Sequence, residues 1–361
     1  MKRIAAGLLC ASLFAALSQT PANAQAPTGP QTGQQPQQNP PPSQNPQSPA
    51  GQQQPPPSGG VSISVEVPLV TMEVAATTSN GDILTGLKKE NFRVYEDGVP
   101  QQITNFGPSD SPITMVLVLE FGGRSYGLFG YLAKYWSQYL FANLKQQDWI
   151  ALETFDMRTR IEVDFTQNKE EVLAAINHLY FPGFSESNVF DALLETTDRL
   201  KDVKGKKSIV ILATGVDTFS KHNLDQTMKA LRQSDVTIFC IGLGEFATVR
   251  SPNMGSLAEM TYLQAKNQLT TFSKETGGYA WFPRFDGEMP GIFSAVAGFL
   301  RNQYSISYSP SNRVRDGKFR KVKIELVAPD GSPLIVQDQK GKKLKYQVYA
   351  REGYNAPKGA D

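Results

Sequence analysis

The chain has 361 residues, 40% of them hydrophobic, which is enough for two or three packed units. Its 36 basic and 34 acidic residues give a formal charge of +2, so we expect no general electrostatic attraction to nucleic acid or to an anionic membrane. Only two histidines and two cysteines are present. This scarcity argues against a zinc site and against a Cys/His or Ser/His catalytic system.

Residues 1–24 have the composition of a secretory signal peptide. Lys2 and Arg3 precede an apolar run that ends near Leu17, and Ala22-Asn23-Ala24 supplies small residues for cleavage. The run is too short for a stable membrane span, and no later segment suits one. We expect an exported protein without a span in the mature chain, either periplasmic, associated with the cell envelope or secreted. An uncleaved signal that serves as an anchor is the alternative.

Residues 25–60 form a Pro/Gln-rich segment in which eleven Gln and eleven Pro occupy 22 of 36 positions. Such a segment cannot bury enough apolar surface to offset the entropy lost on folding. We expect a disordered linker, which is either a tether for the folded part or a spacer without a specific role.

The segments 61–109 and 303–354 both alternate apolar and polar residues and are punctuated by turn signals. Asp97-Gly98, for example, predicts a hairpin between strands at 92–95 and 101–106. Either segment alone has too few strands to form a stable hydrophobic core. The sequence therefore predicts that the two ends pack together as one small β-sandwich module, with 355–361 as a tail.

Between these ends, residues 110–302 alternate strands with helices. The predicted strands are 113–120, 148–155, 160–165, 208–213, 236–242 and 278–282, and the predicted helices are 126–144, 169–180, 189–203, 224–233, 257–276 and 288–301. This order predicts an α/β fold with a doubly wound parallel sheet and helices on both faces. Ligands of such sheets lie beyond the carboxyl ends of the strands, at the edge that we call the crest.

The predicted helix 126–144 is rich in aromatic residues. Helical spacing places one stripe of its side chains toward the core, namely Leu128, Leu132, Tyr135, Trp136, Tyr139 and Asn143. The same spacing leaves Tyr126, Tyr131 and Phe141 off this stripe.

Several segments together resemble one family. They are GLKKENFRVYEDGVPQQITNF (86–106), LVLEFGGRS (117–125), SESNVFDALLE (185–195), SIVILATGVDTFS (208–220), KETGGYAWF (274–282) and REGY (351–354). In this order they resemble the VWFA-related domain family of the acidobacterial type. The resemblance implies a von Willebrand factor A fold with flanking strands, in exported proteins that bind a partner.

The resemblance also implies where a metal-ion-dependent adhesion site would lie. Glu120, Gly122, Arg124, Ser187 and Thr214 occupy the positions at which the family places its ligands Asp, Ser, Ser, Thr and Asp. Only Glu120 and Ser187 keep an oxygen suited to a hard cation such as Mg²⁺. We therefore expect a degenerate site without a metal cofactor. A site rebuilt from the neighbouring Ser125 and Asp217 is the alternative that would still bind Mg²⁺.

Arg124 brings a fixed positive charge to a position where the family has a metal ligand. One hypothesis is that its guanidinium replaces the cation, held by Glu120 or Asp217, and binds an acidic side chain of a protein partner. The other is that Arg124 is a solvated loop residue without such a role.

Three classes of function compete. The first is a non-enzymatic adhesion module that binds a protein at the crest, and it is the one we expect. The second is a structural component of an envelope assembly that uses other surfaces. The third is an enzyme, which the absence of a paired nucleophile and base disfavours, so we expect no catalytic residues.

Overall fold

The computed structural model describes residues 69–359, except 80, 110, 123–134, 136, 180–183, 185, 251, 252 and 254. These residues belong to one unit, Ser64–Asp361. The predicted signal peptide and linker lie outside the described residues, as do Arg124 and Ser125.

The strands of the described part follow one another in the predicted order. They are β1 (Val70–Thr78), β2 (Phe92–Glu96), β3 (Val99–Gln101), β4 (Ile103–Pro108), β5 (Ile113–Glu120), β6 (Trp149–Phe155), β7 (Thr159–Thr166), β8 (Lys206–Ala213), β9 (Thr237–Gly242), β10 (Ala280–Trp281), β11 (Tyr304–Tyr308), β12 (Phe319–Leu326), β13 (Val336–Gln337), β14 (Lys343–Leu344), β15 (Tyr346–Tyr349) and β16 (Gly353–Asn355).

The helices lie mainly between the strands of the α/β part. They are α1 (Lys169–His178), α2 (Val189–Leu200), α3 (Leu224–Gln233), α4 (Gly244–Arg250), α5 (Ser256–Glu275) and α6 (Met289–Arg301), and residues 137–141 are also helical. Asn168 and Asn223 begin α1 and α3 because their side chains accept hydrogen bonds from exposed N–H groups of the first turn.

A six-stranded sheet carries the α/β part, in the order β10-β9-β8-β5-β6-β7. Its neighbouring strands are parallel except for β6 and β7, which are antiparallel. Every residue of β5 and of β8 is buried, as expected for strands covered on both faces. The predicted doubly wound sheet is confirmed.

Helices cover both faces of this sheet. On one face Leu117 and Leu119 of β5 pack in a core that includes Phe293 of α6. On the other face Val116 and Val118 pack with residues of α2, α3 and α5. The alternation of β5 side chains between two cores follows from the two-residue period of a strand.

The strands from the two ends of the chain form two antiparallel four-stranded sheets. Their orders are β15-β1-β11-β4 and β16-β12-β2-β3, so strands from before the α/β part pair directly with strands from after it. The two sheets share one apolar core, which includes Met72, Phe92, Ile306 and Tyr308. This arrangement is the predicted β-sandwich.

Three details of the predicted elements were wrong. The predicted strand 101–106 is divided between β3, which pairs with β2, and β4, which lies in the other sandwich sheet. Helix α4 was not expected, because seven residues hold too few apolar positions to show a helical period. The predicted stripe of the aromatic helix was also wrong, because Tyr135 and Tyr139 are 56% and 39% exposed whereas Phe141 is 3% exposed. The buried face consists of Ser137, Leu140, Phe141 and Leu144.

That buried face keeps the spacing i, i+3, i+4 and i+7 of an amphipathic helix, displaced from the stripe we predicted. The prediction assigned the core to the residues of largest area, but tyrosine tolerates partial exposure because its hydroxyl is polar. No helix in the described part of the chain is both long and apolar enough to cross a membrane.

Candidate functional site

Three of the predicted crest residues line one cavity at the carboxyl ends of the parallel strands. Glu120 ends β5, Thr214 follows β8, and Ser187 lies in the loop before α2. The cavity has a volume of about 240 Å³, and its remaining lining residues are Val216, Thr218, Leu257, Ala258, Thr261 and Tyr262. Parallel strands bring their carboxyl ends to one edge, which explains why residues about 94 positions apart meet there.

The carboxylate of Glu120 is bound by Thr214. Thr214 donates its backbone N–H to this carboxylate, and its hydroxyl lies 2.8 Å from Oε2. Glu120 is only 4% exposed. Burial raises the pKa of Glu120, while the hydrogen bonds from Thr214 oppose this rise. The loop that follows β8 therefore supplies the hydrogen-bond donors of this carboxylate.

The backbone of Ser187 is held by hydrogen bonds, whereas its hydroxyl forms none with the described residues. Its N–H donates to Thr218 Oγ1 at 2.9 Å, and its carbonyl oxygen accepts from the N–H of Thr218 and of Phe219. The hydroxyl of Ser187 is buried and has no hydrogen-bond partner among the described residues. It lies near enough to Glu120 to oppose the rise of that pKa, but the two groups do not reach hydrogen-bond geometry.

Asp217 lies in the same loop as Thr214 but does not line the cavity. Its Oδ1 accepts a hydrogen bond from Ser220 Oγ at 2.5 Å and from the N–H of Phe190 at 3.4 Å. Burial raises the pKa of the Asp217 carboxyl. Asp217 therefore joins its loop to the first turn of α2.

Asp191 makes a second connection between these elements. One carboxylate oxygen accepts from the N–H of Lys221, and the other accepts from the N–H and the ring Nδ1 of His222, at 2.7 Å from the ring. Burial alone would raise the pKa of Asp191, but these donors lower it below its ordinary value. Asp191 therefore holds the crest loop 214–223 against the first turn of α2.

Helix α5 supplies residues to the site that the sequence did not point to. Leu257, Ala258, Thr261 and Tyr262 line the cavity. On the outside of the same helix Leu257, Met260 and Leu263 are 79%, 67% and 59% exposed. The sequence held one signal for this surface. Leu257, Met260 and Leu263 are three residues apart, and residues at this spacing lie on the same face of a helix.

Gly122 is buried at the exit of β5, and Arg124 and Ser125 lie outside the described residues. Within the described ranges, no three or more His, Cys, Asp or Glu side chains form a group that could hold a metal ion. Cys240 is buried in β9, and burial raises the pKa of its thiol to about 12.

Comparisons with known proteins give one family match and several solved structures. The BatB protein of Bacteroides thetaiotaomicron has a TM-score of 0.38 and 12% identity over 52% of this chain and 98% of its own. Proximal thread matrix protein 1 from the mussel byssus has a TM-score of 0.42 and 14% identity over 57% of this chain and 51% of its own. An aerotolerance-related membrane protein of Bacteroides fragilis has a TM-score of 0.39 and 11% identity over 52% of this chain and 98% of its own.

No curated protein sequence matches the chain at a significant level. The acidobacterial type of the family stays a prediction. The family model that matches describes the von Willebrand factor type A domain, and it matches residues 132–276. This part of the chain is a von Willebrand factor type A domain.

Proposed function

We propose that the protein is an exported, non-enzymatic adhesion module that captures a protein partner at the crest and holds no metal ion there. Domains of this family generally mediate protein interactions rather than catalysis. One observation carries the proposal. Thr214 binds the carboxylate of Glu120, while the buried Ser187 hydroxyl in the same cavity is left for a partner.

The donor set does not fit a magnesium ion. Mg²⁺ demands near-octahedral coordination by oxygen atoms. Of the crest positions that the structure describes, Gly122 has no side-chain oxygen, and Glu120 and Thr214 bind each other. Asp217, an oxygen donor of the alternative site, does not line the cavity, so Ser187 is the remaining donor there among the described crest positions, which supports a degenerate site.

Arg124 supplies the positive charge in place of the cation. A guanidinium is permanently charged and binds a carboxylate through two parallel hydrogen bonds, so it suits an acidic side chain of the partner.

The walls of the cavity suit a side chain with an apolar stem. Val216, Leu257 and Tyr262 present apolar atoms, while Ser187 and Thr218 present hydroxyl groups. A glutamate of the partner would place its methylene groups against the first set and its carboxylate near the second. This occupant matches the volume of about 240 Å³, which is below that of a pocket for a drug-sized ligand.

An enzymatic role lacks an activated nucleophile. The hydroxyl of Ser187 forms no hydrogen bond with a base among the described residues, and His222 is turned to Asp191. A serine needs an adjacent base to attack a substrate. The arrangement favours binding.

Site-specific crosslinking in the native cell envelope tests this proposal. A photoreactive amino acid at Thr218, on the cavity wall, should give a discrete crosslinked protein that the same label at exposed Ile161 of β7 does not give. Arg124→Glu should abolish that product, whereas Arg158→Glu, which makes the same change of charge at an exposed hairpin position, should leave it intact. A product that survives Arg124→Glu, or that a chelator removes, contradicts the proposal.

A structural role in an envelope assembly is the second candidate, and one observation favours it. Leu257, Met260 and Leu263 form an exposed apolar face on α5. Exposed apolar patches often mark association surfaces. If this face is the contact, Met260→Ser with Leu263→Ser should abolish the crosslinked product while Arg124→Glu leaves it unchanged.

We also propose the order of segments along the chain. Residues 1–24 would be the signal peptide, 25–60 the linker, 61–109 and 303–354 the sandwich strands, 110–302 the α/β domain and 355–361 the tail. N-terminal sequencing of the exported protein should begin at Gln25. A protein in the envelope that still begins at Met1 would contradict cleavage and support an anchor.

A further inference from the structure

A second cavity lies in the β-sandwich and has no part in the proposed function. Its volume is about 170 Å³, and it is bordered by the start of β1, the segment 312–315 and the strand β16. Arg313, Arg315 and Arg351 all line it, and the described residues of its wall include no aspartate or glutamate. Three arginine residues in the wall of one small cavity favour an anion there, because each carries a permanent positive charge.

Arg351 is partly buried and lacks an acidic partner. It donates from Nη2 to the carbonyl oxygen of Thr71 at 3.1 Å and from Nε to Met72 Sδ at 3.2 Å. Within the part of the chain that the structure describes, no carboxylate forms an ion pair with Arg351. Glu73 and Asp235 interact with its charge only at longer range, and Asp235 pairs with Lys207. Burying a charge without a counter-charge is costly, and an anion in the cavity would offset that cost.

Arg313 and Arg315 are exposed at the mouth of the same cavity. Neither side chain has a hydrogen bond or an ion pair with another described residue. The nearby Arg320 differs, since it pairs with Asp316 at 2.8 Å. The donors of Arg313 and Arg315 thus remain available to a ligand.

Glu96 is hydrogen-bonded to Tyr354, a tyrosine of the cavity wall. Glu96 is buried, and its Oε2 accepts hydrogen bonds from the hydroxyls of Tyr354 and Tyr308, at 2.9 and 2.8 Å. Tyr354 lines the cavity, whereas Glu96 does not.

We propose that this cavity binds the oxyanion group of a ligand, a phosphate or a carboxylate, through Arg313, Arg315 and Arg351. Guanidinium groups bind both anions through paired N–H donors. The volume of about 170 Å³ admits one such group with a short stem and is below the size of pockets for drug-sized ligands.

Calorimetry of the full chain at constant ionic strength tests the proposal, with inorganic phosphate and succinate as separate probes. We expect saturable binding of at least one probe, and the probe that binds identifies the source of the oxyanion. The double substitution Arg313→Gln/Arg315→Gln should weaken that binding at least tenfold. Absence of saturable binding for both probes would overturn the proposal.

The control is Arg158→Gln/Arg284→Gln, which removes the same charge from two arginines that do not line the cavity. It should leave the dissociation constant within about twofold of the wild type, because a non-specific charge effect alone would affect both variants equally. An equal loss in both double variants would contradict a specific site. Ser187→Ala should not change anion binding, so the result is independent of the crest proposal.

Discussion

Thr214 binds Glu120 with two donors, its backbone N–H and its hydroxyl, the latter 2.8 Å from Oε2. These two residues come from different strand ends of the parallel sheet, and both line the crest cavity. These hydrogen bonds join the end of β5 to the loop that follows β8.

Removal of the Thr214 hydroxyl should destabilise the protein. Thr214→Val keeps the side-chain shape but leaves the buried Glu120 carboxylate with one donor fewer. We expect a loss of about 1–3 kcal/mol in the free energy of unfolding, measured by urea denaturation. Thr261→Val in the same cavity is the control, because the Thr261 hydroxyl bonds only to its own helix at Leu257. Equal stability of Thr214→Val and the wild type would contradict the role of this bond.

Glu120→Gln should change how stability depends on pH. Burial raises the pKa of Glu120 in the folded state above its ordinary value of 4.5, so the folded protein binds more protons than the unfolded chain. The wild type therefore loses stability from this group as pH rises from about 4.5 toward the folded pKa. The variant lacks this loss, so its stability relative to wild type should improve from pH 4 to pH 7. A difference that is constant over this range would contradict a raised pKa.

Asp191→Asn should weaken the attachment of the crest loop. The substitution removes a charged acceptor of the Lys221 and His222 donors, and we expect a loss of about 1.5–3 kcal/mol at pH 7. Because these donors lower the pKa of Asp191, its contribution is present above the ordinary value of 3.8 and disappears as pH falls below it. Asp198→Asn on the exposed side of α2 should cost much less. A penalty that persists undiminished well below pH 3.8 would argue against the charged acceptor.

Truncation after Asn302 should unfold the leading strands. β1 pairs with β11 and β15, and β2 pairs with β12, so the truncated chain loses the partners of both strands. Hydrogen exchange should show that amides of β1 and β2 lose protection while β8 in the α/β sheet stays protected. Retained protection of β1 in the shortened chain would show that the leading strands fold without the C-terminal ones.

The sequence predicted the fold well where the apolar pattern was unambiguous. The bounds of β5 and α3 agree with the prediction, since a continuous apolar run marks β5 and the cap at Asn223 marks the start of α3. The predicted turn at Asp97-Gly98 is also present, although its second strand is β3 and not the predicted 101–106, and both turn residues have positive φ values, 48° and 84°. Such φ values suit the tight turns that Asp-Gly favours.

The sequence predicted less of the site. The strand pattern pointed to the loops at the crest, and the resemblance to the family singled out Glu120, Ser187 and Thr214, which the structure places around one cavity. The sequence did not identify Leu257 and Tyr262, since which helix packs beside the crest is a property of tertiary packing. It also missed the bond between Asp191 and His222, because a contact across 31 positions has no local signature.

The central claim is that the crest binds its partner without a metal ion, with Arg124 supplying the positive charge. Crystals of the protein grown with millimolar Mn²⁺ and measured at the manganese absorption edge test this claim most directly. We expect no anomalous peak near Ser187 and Glu120, and the Arg124 guanidinium at the position of the family's cation. An anomalous peak coordinated by Ser187 and Glu120, with Arg124 turned away, would contradict the account.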